Sequence, residues 1–177
     1  MIKKITHKPP RFHQDNSLYF LTFCTYRRED YLHRGEVPRM LIDNLKHYGD
    51  RLKELIAFTI MPDHIHLLID VENQATLSNF LRDFKKYTSK EIKRILSINT
   101  DHIWQHGTMD HCIRFSWGNE DFHKHLEYIF YNSWKHLKTA PKDFPYHNFT
   151  EIVERGWIDK DFCDFQESTL PVVDIYE

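Results

Sequence analysis

With 177 residues, 41% of them hydrophobic and 15% aromatic, the chain has material for one domain with a sizeable core and room for a tail or subdomain. Five glycines leave no glycine-rich phosphate loop. No apolar run approaches the roughly 18–20 residues that span a bilayer, and Met1–Ile5 lacks the apolar centre of a signal peptide, so the expected location is cytoplasmic. The three cysteines, Cys24, Cys112 and Cys163, are too few and too scattered for a disulfide framework, and no Cys-x-x-Cys pair suggests a zinc finger. The net charge of −2 conceals an asymmetry. Residues 151–177 carry eight acids against Arg155 and Lys160, which leaves a mildly basic body, compatible with nucleic-acid binding.

Residues 1–16 are basic and contain Pro9 and Pro10, which reads as an extended arm. Leu18–Tyr26 is rich in aromatic and β-branched residues and predicts a strand. Val37, Met40, Leu41, Leu45 and Tyr48 fall near helical spacing and predict a helix over 36–53. Leu55–Met61 and His64–Val71 predict two strands joined at Pro62-Asp63, hence an antiparallel hairpin. A long amphipathic helix follows from Thr76 to about Leu96, with an apolar stripe through Leu77, Phe80, Leu81, Phe84 and Ile92. A strand is expected near Cys112–Phe115, and Asn119-Glu120-Asp121 reads as the cap of a helix running to Leu137. Pro141 and Pro145 break that pattern. The order β-α-β-β-α-β-α predicts an α+β fold, a ferredoxin-like antiparallel sheet backed by helices. Residues 1–150 are expected to form the domain, with 1–16 as its basic arm and 151–177 as an acidic tail.

The chemistry starts at Met61-Pro62-Asp63-His64-Ile65-His66-Leu67-Leu68. Strand side chains alternate faces, so His64 and His66 point one way while Ile65 and Leu67 point the other. Two imidazoles on one face can share a divalent metal, but they need a third ligand and a reaction. The helix expected at 120–137 contains Glu127-Tyr128-Ile129-Phe130-Tyr131-Asn132. Tyr128 and Asn132, four apart, share a helical face. A tyrosine can act as a nucleophile, and an amide oxygen can ligate a metal.

Five segments in order resemble the REP-associated tyrosine transposases, relatives of the small single-tyrosine HUH transposases: the His64/His66 strand; Phe84-Lys85-Lys86-Tyr87-Thr88-Ser89-Lys90-Glu91-Ile92; Ile103-Trp104-Gln105-His106-Gly107 with Asp110-His111-Cys112-Ile113-Arg114; the Tyr128 helix; and Phe144-Pro145-Tyr146-His147-Asn148-Phe149. The resemblance implies a metal-dependent strand transferase and endonuclease that cleaves and rejoins single-stranded DNA at hairpins through a 5′-phosphotyrosine. It implies Mg²⁺ or Mn²⁺ on His64, His66 and Asn132, with Tyr128 as nucleophile and Tyr131 as the competing choice. Because a phosphotyrosine conserves the phosphodiester energy, rejoining needs no ATP, in keeping with the missing nucleotide loop.

Arg11, Arg27, Arg28, Lys85, Lys86, Lys90, Lys93 and Arg114 are the candidate DNA contacts. Trp117 and Trp134 are candidates for stacking on unpaired bases, and Trp104 reads as core. His106, Asp110 and His111 look like a second metal set, but the resemblance places them on a structural or DNA-facing strand. Two departures stand out. The run Asn132-Ser133-Trp134-Lys135-His136 continues the helix where relatives carry proline and valine. The N-terminal arm lacks the Gly-Arg-Ser element that several relatives use beside the hairpin, so guide recognition by that route is not expected. Two other functions fit the same residues: a hairpin-binding regulator without strand transfer, and a hydrolase in which metal-bound water attacks. Monomer and homodimer are both compatible with the sequence.

Overall fold

The computed structural model describes residues 15–113 and 120–163. Four strands, β1 (Ser17–Cys24), β2 (Glu54–Ile60), β3 (His64–Val71) and β4 (Met109–Cys112), form one antiparallel sheet in the order β2-β3-β1-β4. Helices α1 (Val37–Gly49), α2 (Gln74–Leu96), α3 (Glu120–Leu137) and α4 (Phe149–Glu154) complete the α+β fold. The sheet order and connections are those of the ferredoxin-like arrangement expected from the sequence. The last strand lies earlier than expected, at Met109–Cys112, and Arg114 and Phe115 fall outside the described residues.

Strand alternation divides the core into two layers. Tyr19, Leu21 and Phe23 of β1, Phe58 and Ile60 of β2, and Ile65, Leu67 and Ile69 of β3 face α1 and α2, meeting Leu41, Leu45, Phe80 and Phe84. Leu18, Phe20 and Leu68 face the other way and pack against Leu126, Tyr128 and Ile129 of α3 and Ile152 of α4. With apolar side chains on both faces, the central strands β1 and β3 read as nearly continuous hydrophobic runs, broken by Ser17 and Thr22 in β1 and by His64, His66 and Asp70 in β3.

Local signals set the ends of α2. The Asn73 side chain accepts a hydrogen bond from the Thr76 amide at 3.0 Å, an N-cap. Ser97 closes the helix in the left-handed region at φ 50°. The sheet has one irregularity. Pairing shifts between Leu55 and Ala57, so Ile56 bulges from β2. Asn148 repairs it from a distant loop: its amide donates to the Ile56 carbonyl and its oxygen accepts from the Phe58 amide, both at 2.9 Å.

The stretch from residue 151, expected as an acidic tail, carries the end of α4, and Ile152 and Ile158 are buried in the second layer. Residues 164–177 lie outside the described residues. Among the described residues, Cys24, Cys112 and Cys163 form no disulfide. Among the described residues, no helix is long and apolar enough to cross a membrane.

Candidate active site

His64 and His66 stand on the α3 side of the sheet, with ring centroids 4.8 Å apart. Pairing register places Thr22 of β1 and Thr59 of β2 on either side of His66. The Thr22 hydroxyl lies 2.7 Å from His66 Nδ1. His64 Nδ1 lies 2.6 Å from Asp63 Oδ1, and Arg28 donates to the other oxygen of that carboxylate at 3.3 Å. Each imidazole is thus held through Nδ1, which directs Nε2 toward the space below α3. Fixing one ring nitrogen in this way sets the tautomer and orients the other for a metal.

Helix α3 covers the histidines with a stripe at helical spacing: His125, Leu126, Tyr128, Ile129, Asn132 and Ser133 are all buried. The Tyr128 ring lies 5.3 Å from that of His66, edge to face. The Asn132 amide donates to the Tyr128 carbonyl at 2.6 Å. That bond leaves Asn132 Oδ1 buried with no hydrogen bond of good geometry, and His64 Nε2 is likewise buried and unpartnered. Orphaned buried polar atoms are costly, and they mark a place where something else supplies the bond. An amide oxygen and an imidazole nitrogen are both competent ligands for a divalent ion, so these residues fit the metal that the resemblance implied.

The electrostatics agree with ligation. Burial pushes His66 well below its ordinary pKa, with the charge of His64 as the next cause, so its imidazole is neutral at pH 7. Asn132 lies close enough to His66 to favour the charged form, a smaller effect. Burial alone would raise the Asp63 carboxyl, but its hydrogen bond with His64 and the Arg28 guanidinium outweigh that and hold it below the usual range. At neutral pH it is an anion backing His64.

Lys135 completes the cluster. Its Nζ lies 3.4 Å from the Tyr128 hydroxyl and 5.2 Å from the centroid of the ring. Lys135 follows Tyr128 by seven residues, two helical turns, so that spacing could have pointed to it. Asp63 sits inside the quoted histidine motif. Thr22 has no such signal, because only strand register brings it to His66. Tyr131, the competing nucleophile, is only partly buried.

The other candidate DNA contacts do not converge here. Lys86 and Lys90 are exposed on α2, whose apolar stripe packs on the opposite layer of the sheet. Lys93 donates to the Asp101 carbonyl at 3.3 Å. The Lys85 ammonium reaches inward, 2.6 Å from the Gly107 carbonyl and 2.9 Å from the Thr108 hydroxyl, over the Phe23 ring. Burial lowers its pKa to about 8. Arg27 is exposed over Tyr26, and Arg28, alone among the described members of the set, joins the histidine cluster, through Asp63. Trp104 is buried, with its indole N–H donating to Thr88. Arg11, Arg114 and Trp117 lie outside the described residues.

A ferredoxin-like sheet presenting paired histidines to a tyrosine-bearing helix defines a class that comparison with known proteins identifies. The family model described as "Transposase IS200 like" matches residues 13–132, which span the sheet and the helix through Asn132. The chain is 31% identical over 158 residues to a Haemophilus influenzae protein classed as a REP-associated tyrosine transposase, covering 79% of this chain and 86% of that one. It is 26% identical over 149 residues to a REP-associated tyrosine transposase of Escherichia coli, covering 82% and 84%. The chain belongs to the REP-associated tyrosine transposases, a family of DNA strand-transferring enzymes. A solved structure of a REP-associated tyrosine transposase bound to a REP hairpin shares the fold, with a TM-score of 0.71 and 21% identity over 97% of this chain and 99% of that one.

Proposed function

We propose that this protein cleaves and rejoins single-stranded DNA at hairpin-bearing, REP-like sites through a covalent bond to Tyr128. The observation that carries this reading is that His64 Nε2 and Asn132 Oδ1 are both buried without a well-formed hydrogen bond, with Asn132 beside His66 on the helix face that bears Tyr128. A relative seen bound to a REP hairpin supports the choice of DNA. His64, His66 and Asn132 would hold Mg²⁺ or Mn²⁺. When bound, such an ion supplies polarisation of the scissile phosphate and neutralises charge on it.

The chain's own residues do the rest. The Tyr128 oxygen attacks phosphorus in line, and the P–O3′ bond breaks. The phenol proton passes to solvent, and the departing 3′ oxygen takes one up, which leaves a 5′-phosphotyrosine and a free 3′-OH. The Lys135 ammonium favours the phenolate by charge. Rejoining is the reverse attack by a 3′-OH. The test incubates the protein with hairpin-bearing single-stranded DNA and Mn²⁺. A covalent protein–DNA adduct forms with the wild type and is lost in Tyr128→Phe. An adduct that persists in Tyr128→Phe moves the role to Tyr131 or removes it from this helix.

A second reading, hairpin binding and regulation without strand transfer, is favoured by one observation. Tyr128 is only 1% exposed, so a phosphate reaches it only if α3 shifts. Tight hairpin binding with no adduct under any divalent ion would establish it.

A further inference from the structure

A second set of metal-type side chains lies outside this site. His111 of β4, Asp121 in the first turn of α3 and His125 one turn later each offer a ligand atom, and these atoms all lie within 4.8 Å of one another. The Asp121 carboxylate lies at the edge of both rings. One oxygen is 3.1 Å from His111 Nε2, and the other is 3.2 Å from His125 Nδ1. The rings stack almost parallel, centroids 4.6 Å apart and 14° between planes. Two basic rings stacked in this way present their nitrogens to one carboxylate from the same side.

We propose that His111, Asp121 and His125 bind a second divalent ion of the zinc class, which ties the edge strand β4 to the start of the tyrosine helix. Tetrahedral zinc with bonds of about 2.0–2.2 Å holds its ligand atoms roughly 3.3–3.6 Å apart. The two contacts to Asp121, 3.1 and 3.2 Å, fall just short of that range and no ligand pair is more than 4.8 Å apart, so the site closes by movements of about an ångström together with a turn of the two stacked rings that makes their nitrogens converge. Ligation by Nδ1 requires His125 to release its bond to the Asp121 carbonyl, now 2.7 Å. Asp121 and His125 have the four-residue spacing that puts two ligands on one helical face. His125 is 8% exposed, Asp121 21% and His111 40%, which gives an anchored inner side, an open outer side for entry and room for a water as fourth ligand. Two imidazoles and a carboxylate suit Zn²⁺, Co²⁺ or Ni²⁺ better than Mg²⁺, which prefers oxygen donors.

Its position gives such an ion a structural task. The Phe20 ring lies 4.9 Å from His125, 5.4 Å from His66 and 6.0 Å from Tyr128. An ion that draws His125 toward β4 therefore fixes the end of α3 nearest the ring layer under Tyr128. The site stands on its own geometry and does not depend on the tyrosine chemistry.

Chelator-treated full-length protein titrated with Zn²⁺ by calorimetry, and with Co²⁺ by visible absorption, tests it. The wild type takes up two ions, and Zn²⁺ raises its melting temperature. In His111→Gln and, separately, Asp121→Asn, one ion is lost or bound at least about tenfold more weakly, and the thermal shift shrinks. In His64→Gln the ion at the second site remains. Circular dichroism of the ion-free variants checks that each is folded. No ion bound, uptake unchanged in both His111→Gln and Asp121→Asn, or a single wild-type ion lost with His64→Gln would each overturn the proposal.

Discussion

His64 meets the carboxylate of its own neighbour, Asp63, at 2.6 Å, and this contact leaves the far nitrogen of the ring directed under α3. Asp63 is in turn held by Arg28. This is the arrangement that fixes the tautomer and the orientation of a metal-ligating imidazole. Asp63→Asn keeps the shape and removes the charge. Its affinity for Mn²⁺, read by calorimetry, should fall about 10- to 100-fold while the melting temperature changes little. Thr22→Val removes the corresponding support of His66 and should act in the same direction. Unchanged affinity in both would detach these groups from the metal site.

Asn148 reaches the bulge in β2 from the loop before α4. It satisfies the Ile56 carbonyl and the Phe58 amide, and it is 6% exposed. Asn148→Ala leaves both backbone groups buried without partners. At about 1–3 kcal/mol for each stranded group, partly relieved by relaxation, the loss should be about 2–4 kcal/mol in urea denaturation. A loss below about 1 kcal/mol would mean that water replaces the side chain.

The long elements were legible in the sequence because each carries its own period, whereas four-residue β4 and six-residue α4 are too short to show one. His64–Val71 alternates around its histidines, and the 120–137 stripe repeats every three to four residues. The pairing of His64 and His66 with Tyr128 and Asn132 came from resemblance, since no local pattern says which helix covers which sheet face. Nor does spacing show that the left-handed turn at Gly107, φ +90°, brings a carbonyl to the Lys85 ammonium. In sequence His111 stands beside His106 and Asp110. Its partners Asp121 and His125 lie across a strand-to-helix connection, beyond the reach of spacing arguments.

Lys85 and Lys86 are adjacent, yet only the second is exposed. A phosphate contact appears as a unit change in the salt dependence of binding. Lys85→Met should leave the slope of log affinity against log salt for hairpin DNA unchanged, measured by fluorescence anisotropy. It should lower thermal stability, because the Gly107 carbonyl and Thr108 hydroxyl lose their donor. A slope smaller by about one would show that the ammonium leaves this pocket to meet DNA.

His147 supplies a pH dependence of definite sign. Its Nε2 donates to the Pro141 carbonyl at 2.6 Å, and its Nδ1 accepts from the Phe149 amide at 3.2 Å. Only the neutral ring can do both, since protonation would set a ring N–H against a backbone N–H. Burial is the main cause that holds its folded pKa below the ordinary value, and the bond to Pro141 opposes it. The folded state therefore binds fewer protons than the unfolded state. Stability from this ring is complete above the unfolded pKa of about 6.5 and is lost as pH falls through the lower folded value. His33 and His125 are also lowered by burial and share that sign, so the wild type as a whole weakens in acid. The contribution of His147 is isolated by difference. His147→Gln should be less stable than wild type at pH 7.5 in urea denaturation, and the gap should narrow toward pH 5. A gap that stays constant across this range would mean that the ring does not titrate in the folded protein as its hydrogen bonds require.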